Sequence, residues 1–270
     1  MAKQLPLHQS TLIIGHRGAS RDAPENTLAS FRLAFRQGAD GIESDFRLTG
    51  DRQIVCLHDD STARTADRDL MVAQSTLEEL RRLDLGRWKG EGWRGERLPT
   101  LAEVLQALPA GKRLFIELKS GAEIIDPLAA VLAASGVAAD TLRILSFDAQ
   151  LIRAAKKRLP EYRACWLTDY RFRGSWHPSP GEILATLAEC GADGLASRDR
   201  AVLDADLVRA LRARSLEIHV WTVDLAKSAR RLVALGVDSI MTNRPGWLAA
   251  ALAEADHRRA TAPEGGARKL

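Results

Sequence analysis

The sequence predicts an α/β fold, a (β/α)8 TIM barrel with a small insertion after the second strand, and three observations carry that prediction. The chain has 270 residues, the size of one barrel of the roughly 250-residue class. Eight short apolar runs with strand character are interleaved with helix-like stretches, the pattern of a parallel sheet wound through helices. Between the second and third of these runs lie residues 47–111, far too long for a single βα connection.

The elements follow in order. Residues 11–15 form the first apolar run, and Leu28, Phe31, Leu33 and Phe35 give residues 28–37 helical spacing that Gly38 ends. Residues 41–46 are the second strand. The insertion has its own punctuation: a short helix at 77–83, a Gly/Trp-rich loop at 86–95, and Pro99-Thr100 ahead of a helix at 101–108. Strands are then predicted at 113–119, 142–147, 163–167, 194–197, 217–223 and 239–242, with helices at 127–134 and 149–159 among the later connections. Apolar periodicity is lost from about residue 254. The expected organisation is therefore one barrel domain over 1–254 and a flexible tail over 255–270.

Composition excludes several function classes. Hydrophobic residues make up 46%, enough for a sizeable core, and the net charge is only +4 from 39 basic and 35 acidic residues. The arginines are scattered, with no basic stripe and no aromatic interleaving, so nucleic acid is not the expected partner. Cys56, Cys165 and Cys190 have no zinc-type or CxxC spacing and sit among apolar neighbours, which predicts buried, reduced thiols. Residues 1–8 lack the continuous apolar segment of a secretory signal, so none is expected, and no run of about 18 uncharged apolar residues occurs. A cytoplasmic protein without membrane insertion, a monomer or weak homodimer, is expected.

Polar clusters at the ends of apolar runs carry the chemistry, because an unpaired charge there costs several kcal/mol. Side chains two apart on a strand share a face, so Glu43 pairs with Asp45 and Glu117 with Lys119, while Ile42, Ser44, Phe46, Ile116 and Leu118 turn the other way. Both pairs fall at C-terminal strand ends, where barrel enzymes build their sites. Taken singly, each acid would pair with a neighbouring Arg or Lys. Together, Glu43, Asp45 and Glu117 repel one another unless a cation joins them, and an all-oxygen set favours one hard divalent ion, Mg²⁺ or Ca²⁺. His16 and His58 each follow an apolar run and suit proton transfer near neutrality. Arg17 offers a planar fork and Lys119 a point charge to a phosphate. Asn26 and Thr27 are expected to cap the helix that begins at Leu28. His8, His177 and His257 read as solvated residues, and His219 as a barrel-interior side chain.

At this point the chain resembles the glycerophosphodiester phosphodiesterase family. The ordered motifs are His16-Arg17-Gly18-Ala19, Pro24-Glu25-Asn26-Thr27, Gly41-Ile42-Glu43-Ser44-Asp45, His58-Asp59, residues 95–101, Glu117-Leu118-Lys119 and Val220-Trp221-Thr222-Val223. The resemblance runs from about Leu12 to Pro245 and implies a barrel with a small subdomain after its second strand. It implies His16 and His58 as the acid–base pair, Glu43, Asp45 and Glu117 as metal ligands, Arg17 and Lys119 on the phosphate, and Trp221 lining the glycerol pocket. The implied reaction is metal-dependent hydrolysis to sn-glycerol 3-phosphate and an alcohol. Two departures stand out: Phe46 where the family often has Val, and Thr242-Asn243-Arg244-Pro245 where many members read Thr-Asp-Arg-Pro. Neither is expected to touch the catalytic set, but the second could alter loop hydrogen bonding at the barrel rim. Competing readings are a lysophospholipase D or phosphoinositide-type phosphodiesterase, against which the low aromatic content and absent amphipathic membrane segment argue, and a silent barrel that only binds glycerophosphodiesters. A metal-dependent amidohydrolase would carry His-x-His on its first strand, where Gly18 stands instead.

Overall fold

The chain opens with β1 (Leu12–His16), α1 (Leu28–Arg36), β2 (Gly41–Leu48), β3 (Ile54–Cys56), α2 (Leu77–Arg81), α3 (Leu101–Ala107) and β4 (Arg113–Leu118) in a computed structural model that describes residues 11–260. It continues with α4 (Ile125–Ser135), β5 (Leu142–Ser146), α5 (Ala149–Arg158), β6 (Arg163–Thr168), β7 (Arg171–Phe172), β8 (Trp176–His177), α6 (Pro180–Cys190) and β9 (Gly194–Arg198). The last elements are α7 (Ala205–Arg212), β10 (Glu217–Trp221), α8 (Ala226–Leu235), β11 (Ser239–Thr242) and α9 (Pro245–Ala260). Residues 1–10 and 261–270, with His8 and the rest of the predicted tail, lie outside the described residues, as does the side chain of His257.

Eight parallel strands close on themselves in the order β1-β2-β4-β5-β6-β9-β10-β11, with β1 pairing both β2 and β11. The predicted (β/α)8 barrel is the observed fold. Its strands are apolar on both faces because both are covered. Ile14, Phe115, Leu145, Cys165, Leu167, Ala196 and Met241 point inward and fill the barrel, while the alternate residues, Ile42, Phe46, Ile116 and Ile144 among them, pack outward under the helices. His219 is buried in the interior, its ring edge-on to Phe115 at 5.0 Å, as its strand position predicted.

Two features depart from a plain barrel. Beyond the reach of β1, the last residues of β2 pair antiparallel with β3, Phe46 opposite Cys56 and Leu48 opposite Ile54, so the chain doubles back at the barrel rim. The insertion that follows has a small core of its own, in which Val55 and Leu57 pack with Val72, Leu80, Leu83, Leu85 and Leu98. The second is the β7–β8 hairpin, whose two-residue strands leave no readable alternation. Among the helices, α3 starts at a capping box in which Thr100 Oγ1 accepts from Glu103 N–H, and the Glu103 carboxylate accepts the Thr100 N–H in return.

Strand register then fixes what meets at the C-terminal rim. His16 stands opposite Glu43 across β1 and β2, and Asp45 opposite Glu117 across β2 and β4.

Candidate active site

The three acids converge as their register requires. Glu43, Asp45 and Glu117 each offer a carboxylate oxygen within 4.8 Å of the others, and all three are buried. Glu43 Oε1 accepts no hydrogen bond, and neither do Asp45 Oδ1 and Glu117 Oε1, although both of these face Lys119 Nζ in ion pairs. Burial, then the charge of Asp45, pushes Glu43 and Glu117 up to about 8. Burial acts the same way on Asp45, but Lys119 and Arg17 outweigh it and hold that carboxyl well below its usual range. Buried, orphaned carboxylate oxygens that ionise reluctantly are the donor set a hard divalent cation satisfies, so these residues could hold one.

The histidines reach the same space by different routes. His16 ends β1, with Nε2 3.9 Å from Glu43 Oε2 and Nδ1 2.8 Å from Asn243 Oδ1. Burial, then Arg17, lowers its pKa. His58 comes from the insertion, just after β3, where Leu57 N–H donates to Asp45 O and Arg47 donates twice to His58 O. Its Nδ1 lies 2.6 Å from Asp59 Oδ1, and its pKa is lowered by burial against the pull of Asp45 and Asp59.

The predicted phosphate-binding cations are both engaged with acids. Arg17 Nη1 donates to Glu25 Oε1 at 2.8 Å, its Nε lies 3.0 Å from Asp45 Oδ2, and its backbone N–H donates to Glu43 Oε2 at 3.0 Å. That last bond depends on an unusual backbone: Arg17 has φ 55° and Gly18 φ 81°, turning the chain back so that Ser30 Oγ donates to Arg17 O. Lys119 leaves the end of β4 and bridges Asp45 and Glu117.

These groups line one cavity of about 190 Å³. His16, Arg17, Glu43, His58, Glu117 and Lys119 form its polar wall, and Leu145, Phe147, Leu167, Trp221 and Met241 its apolar one. Trp221 is half-buried at the end of β10, its Nε1 donates to Ala196 O at 3.0 Å, and its ring meets Phe147 edge-on at 5.5 Å. It lines the cavity and packs on the rim at once.

Comparison with known proteins gives this arrangement its context. Residues 16–247 match the sequence profile of the Glycerophosphoryl diester phosphodiesterase family. The chain belongs to that family. A glycerophosphodiester phosphodiesterase of Caldanaerobacter subterraneus is 34% identical over 241 residues, covering 87% of this chain and 95% of the relative. A phosphodiesterase of Oleispira antarctica, solved in complex with the product sn-glycerol-3-phosphate, superposes with a TM-score of 0.81 at 29% identity, over 90% of this chain and 97% of that one. A glycerophosphodiester phosphodiesterase of Agrobacterium tumefaciens gives 0.77 at 29% identity, over 89% and 99%.

Within this member of the glycerophosphoryl diester phosphodiesterase family, two sequence expectations need correction. Asn26 does not cap α1; Thr27 does, its Oγ1 accepting from Ser30 N–H at 3.2 Å. Asn26, at φ 57°, is buried under the acids instead, donating from Nδ2 to Asp45 Oδ2 and accepting from Ser44 Oγ. Asn243 was expected to stay clear of the catalytic set, yet its side chain contacts His16 directly. Sequence reasoning also passed over Arg64, an insertion residue that donates from Nε to Asp59 Oδ2 at 2.6 Å and from its two terminal nitrogens to Glu25. The acids Glu25 and Asp59, each inside a motif and each in want of a cation, were the one available signal for it.

Proposed function

We propose that this chain hydrolyses glycerophosphodiesters to sn-glycerol 3-phosphate and an alcohol, with His16 and His58 as the acid–base pair. The observation that carries the reading is one cavity lined by Glu43, Glu117, two imidazoles and two cations, with the buried Asp45 carboxylate within 4.8 Å of both glutamates. A divalent ion, Mg²⁺ or Ca²⁺, held by Glu43, Asp45 and Glu117 would act as a Lewis acid on a phosphoryl oxygen. The remaining work falls to the side chains. Arg17 and Lys119 lie on the polar wall, so a phosphodiester entering the cavity meets positive charge on two sides. Burial disfavours the charged form of both rings, which suits the one that takes up a proton, while the Asp59 carboxylate at His58 Nδ1 favours a protonated ring on the other side. Phe147 and Trp221 supply an apolar wall for the carbon skeleton of the glycerol.

A cytoplasmic setting and a monomer or weak homodimer complete the proposal. Cys56, Cys165 and Cys190 are free and buried, in keeping with a reducing compartment, and no described helix is long and apolar enough to cross a membrane. The test is a substrate panel with EDTA-stripped protein and metal add-back. Release of sn-glycerol 3-phosphate from glycerophosphocholine that requires Mg²⁺ or Ca²⁺ supports the proposal. Turnover of lysophosphatidylcholine alone would move the assignment to a lysophospholipase D, and binding without turnover would make the barrel a silent one.

A further inference from the structure

Resting on the acid–base reading above, we propose that Asn243, itself oriented by Asp224, is a positioning residue that fixes His16 in the tautomer with its proton on Nδ1 and its lone pair on Nε2. Four contacts carry the inference. Asn243 Oδ1 lies 2.8 Å from His16 Nδ1, and Asn243 Nδ2 lies 2.6 Å from Asp224 Oδ2. The other oxygen of Asp224 accepts from Thr242 Oγ1 and from the Asn243 backbone N–H, each at 2.8 Å. An ionised carboxylate only accepts, whereas an amide has a donor end and an acceptor end. The amide must therefore give its NH2 to Asp224, which leaves its carbonyl for His16. A carbonyl also only accepts, so the ring presents Nδ1–H, and a neutral ring with that proton has a bare Nε2. Ser20 Oγ has one proton for two acceptors, Asn243 Oδ1 and His16 O, each at 2.8 Å, so the Asp224 carboxylate, which can only accept, decides the orientation of the amide.

The two imidazoles are thus supported unequally. His58 Nδ1 meets the Asp59 carboxylate directly at 2.6 Å, while His16 meets an amide with the carboxylate one residue further out. A carboxylate stabilises a ring that carries positive charge, and an amide orients one that starts neutral. Nε2 of His16, the nitrogen nearer Glu43, is then the atom that accepts a proton in the cavity.

Paired substitutions at 224 and 243 separate this orientation from a merely structural role. In Asp224→Asn, residue 224 keeps its carbonyl on Thr242 and the Asn243 N–H and turns its NH2 to Asn243, which must answer with its own carbonyl and offer NH2 to His16. The tautomer inverts and a hydrogen replaces the lone pair in the cavity. We expect kcat to fall about 100-fold or more with KM changed less than about threefold, since the phosphate-facing cations are untouched. Asn243→Asp alone sets two carboxylates against each other and loses activity similarly. The double variant Asp224→Asn with Asn243→Asp restores every donor–acceptor pair, and its kcat should return to within about threefold of the parent.

The deciding readout is ¹⁵N NMR of histidine-labelled protein, with the His16 signals identified by their loss in His16→Asn. The parent and the double variant should show a protonated Nδ1 and a bare Nε2, and Asp224→Asn the reverse. A parental tautomer or parental kcat in Asp224→Asn overturns the proposal, as does a double variant still down about tenfold or more. Should the single variants fail to fold, the double variant alone decides by the same criteria. A parent inactive on all glycerophosphodiesters, with the tautomer inverting as described, would instead sink the hydrolase reading and leave this one standing.

Discussion

Removing divalent ions with EDTA should make this protein less stable as pH rises from about 6.5 to 8. The reason is proton uptake by Glu43 and Glu117, raised from 4.5 to about 8 in the folded chain by burial and by Asp45. Throughout that window the folded state binds protons that the unfolded state has already released, so the stability of the metal-free protein falls with pH. Below 6.5 the lowered histidines act oppositely, because their unfolded rings take up protons that the folded rings refuse. Above 6.5 that offset fades and is nearly gone by about pH 7.5, so the glutamates dominate the window. Each protonated glutamate contributes a slope of about −1.4 kcal/mol per pH unit, so the pair, partly ionised near the top of the window, gives a loss of about 2–4 kcal/mol. For a chain of this size that corresponds to a melting temperature lower by about 4–10 °C at pH 8 than at pH 6.5. A bound divalent ion holds both groups ionised and should remove the slope. Scanning calorimetry across this window, with EDTA and then with excess Mg²⁺ or Ca²⁺, reads the effect directly. A flat or rising Tm in EDTA would refute the reasoning, and so would a slope that survives in the double variant Glu43→Gln, Glu117→Gln.

Other perturbations test other joints. Arg64→Ala frees Asp59 from its link to Glu25 and should lower kcat about tenfold through a looser His58, with little change in Tm because Arg64 is exposed; an unchanged kcat in steady-state assays would show that the link is inert. Trp221→Ala removes part of the apolar wall and should raise KM about tenfold with a smaller effect on kcat, while Trp221→Phe should restore most of it; equal losses in both variants would argue against a packing role. Gly18→Ala should destabilise by about 3 kcal/mol or more in chemical denaturation, since a Cβ there would sit 2.1 Å from Ser30 Oγ and 2.7 Å from the Ser30 backbone at a φ of +81°.

What could be read from the sequence, and what could not, follows from where periodicity reaches. Glu43 and Asp45 lie two apart on one strand, and alternation alone puts them on one face; Glu117 and Lys119 obey the same rule one strand over. The ends of apolar runs located His16 and His58 equally well. Side-chain partners across long gaps have no such signature. Asn243 meets His16 from 227 positions away and Arg64 meets Glu25 from 39, and both links exist only because barrel closure and the insertion bring them together. Asn26 was misread for a related reason: Asn before a helix is commonly a cap, and nothing local indicates that here Thr27 takes that duty and frees Asn26 to turn inward. The two-residue strands of the β7–β8 hairpin were too short for any pattern to register.

One of the two imidazoles does not belong to the barrel. His58 rides on a doubled-back segment whose apolar residues pack in a satellite core, anchored to the rim by β3, by the Arg47 bonds to His58 O and by the Arg64 clamp. The spacing between the rings is accordingly set by how the insertion packs on the rim as well as by strand register. Substitutions inside the satellite can widen or narrow the gap while the acids on β2 and β4 stay in register. On the proposed hydrolase reading, reach towards bulkier leaving groups would therefore be adjustable from a part of the chain that supplies none of the three acids.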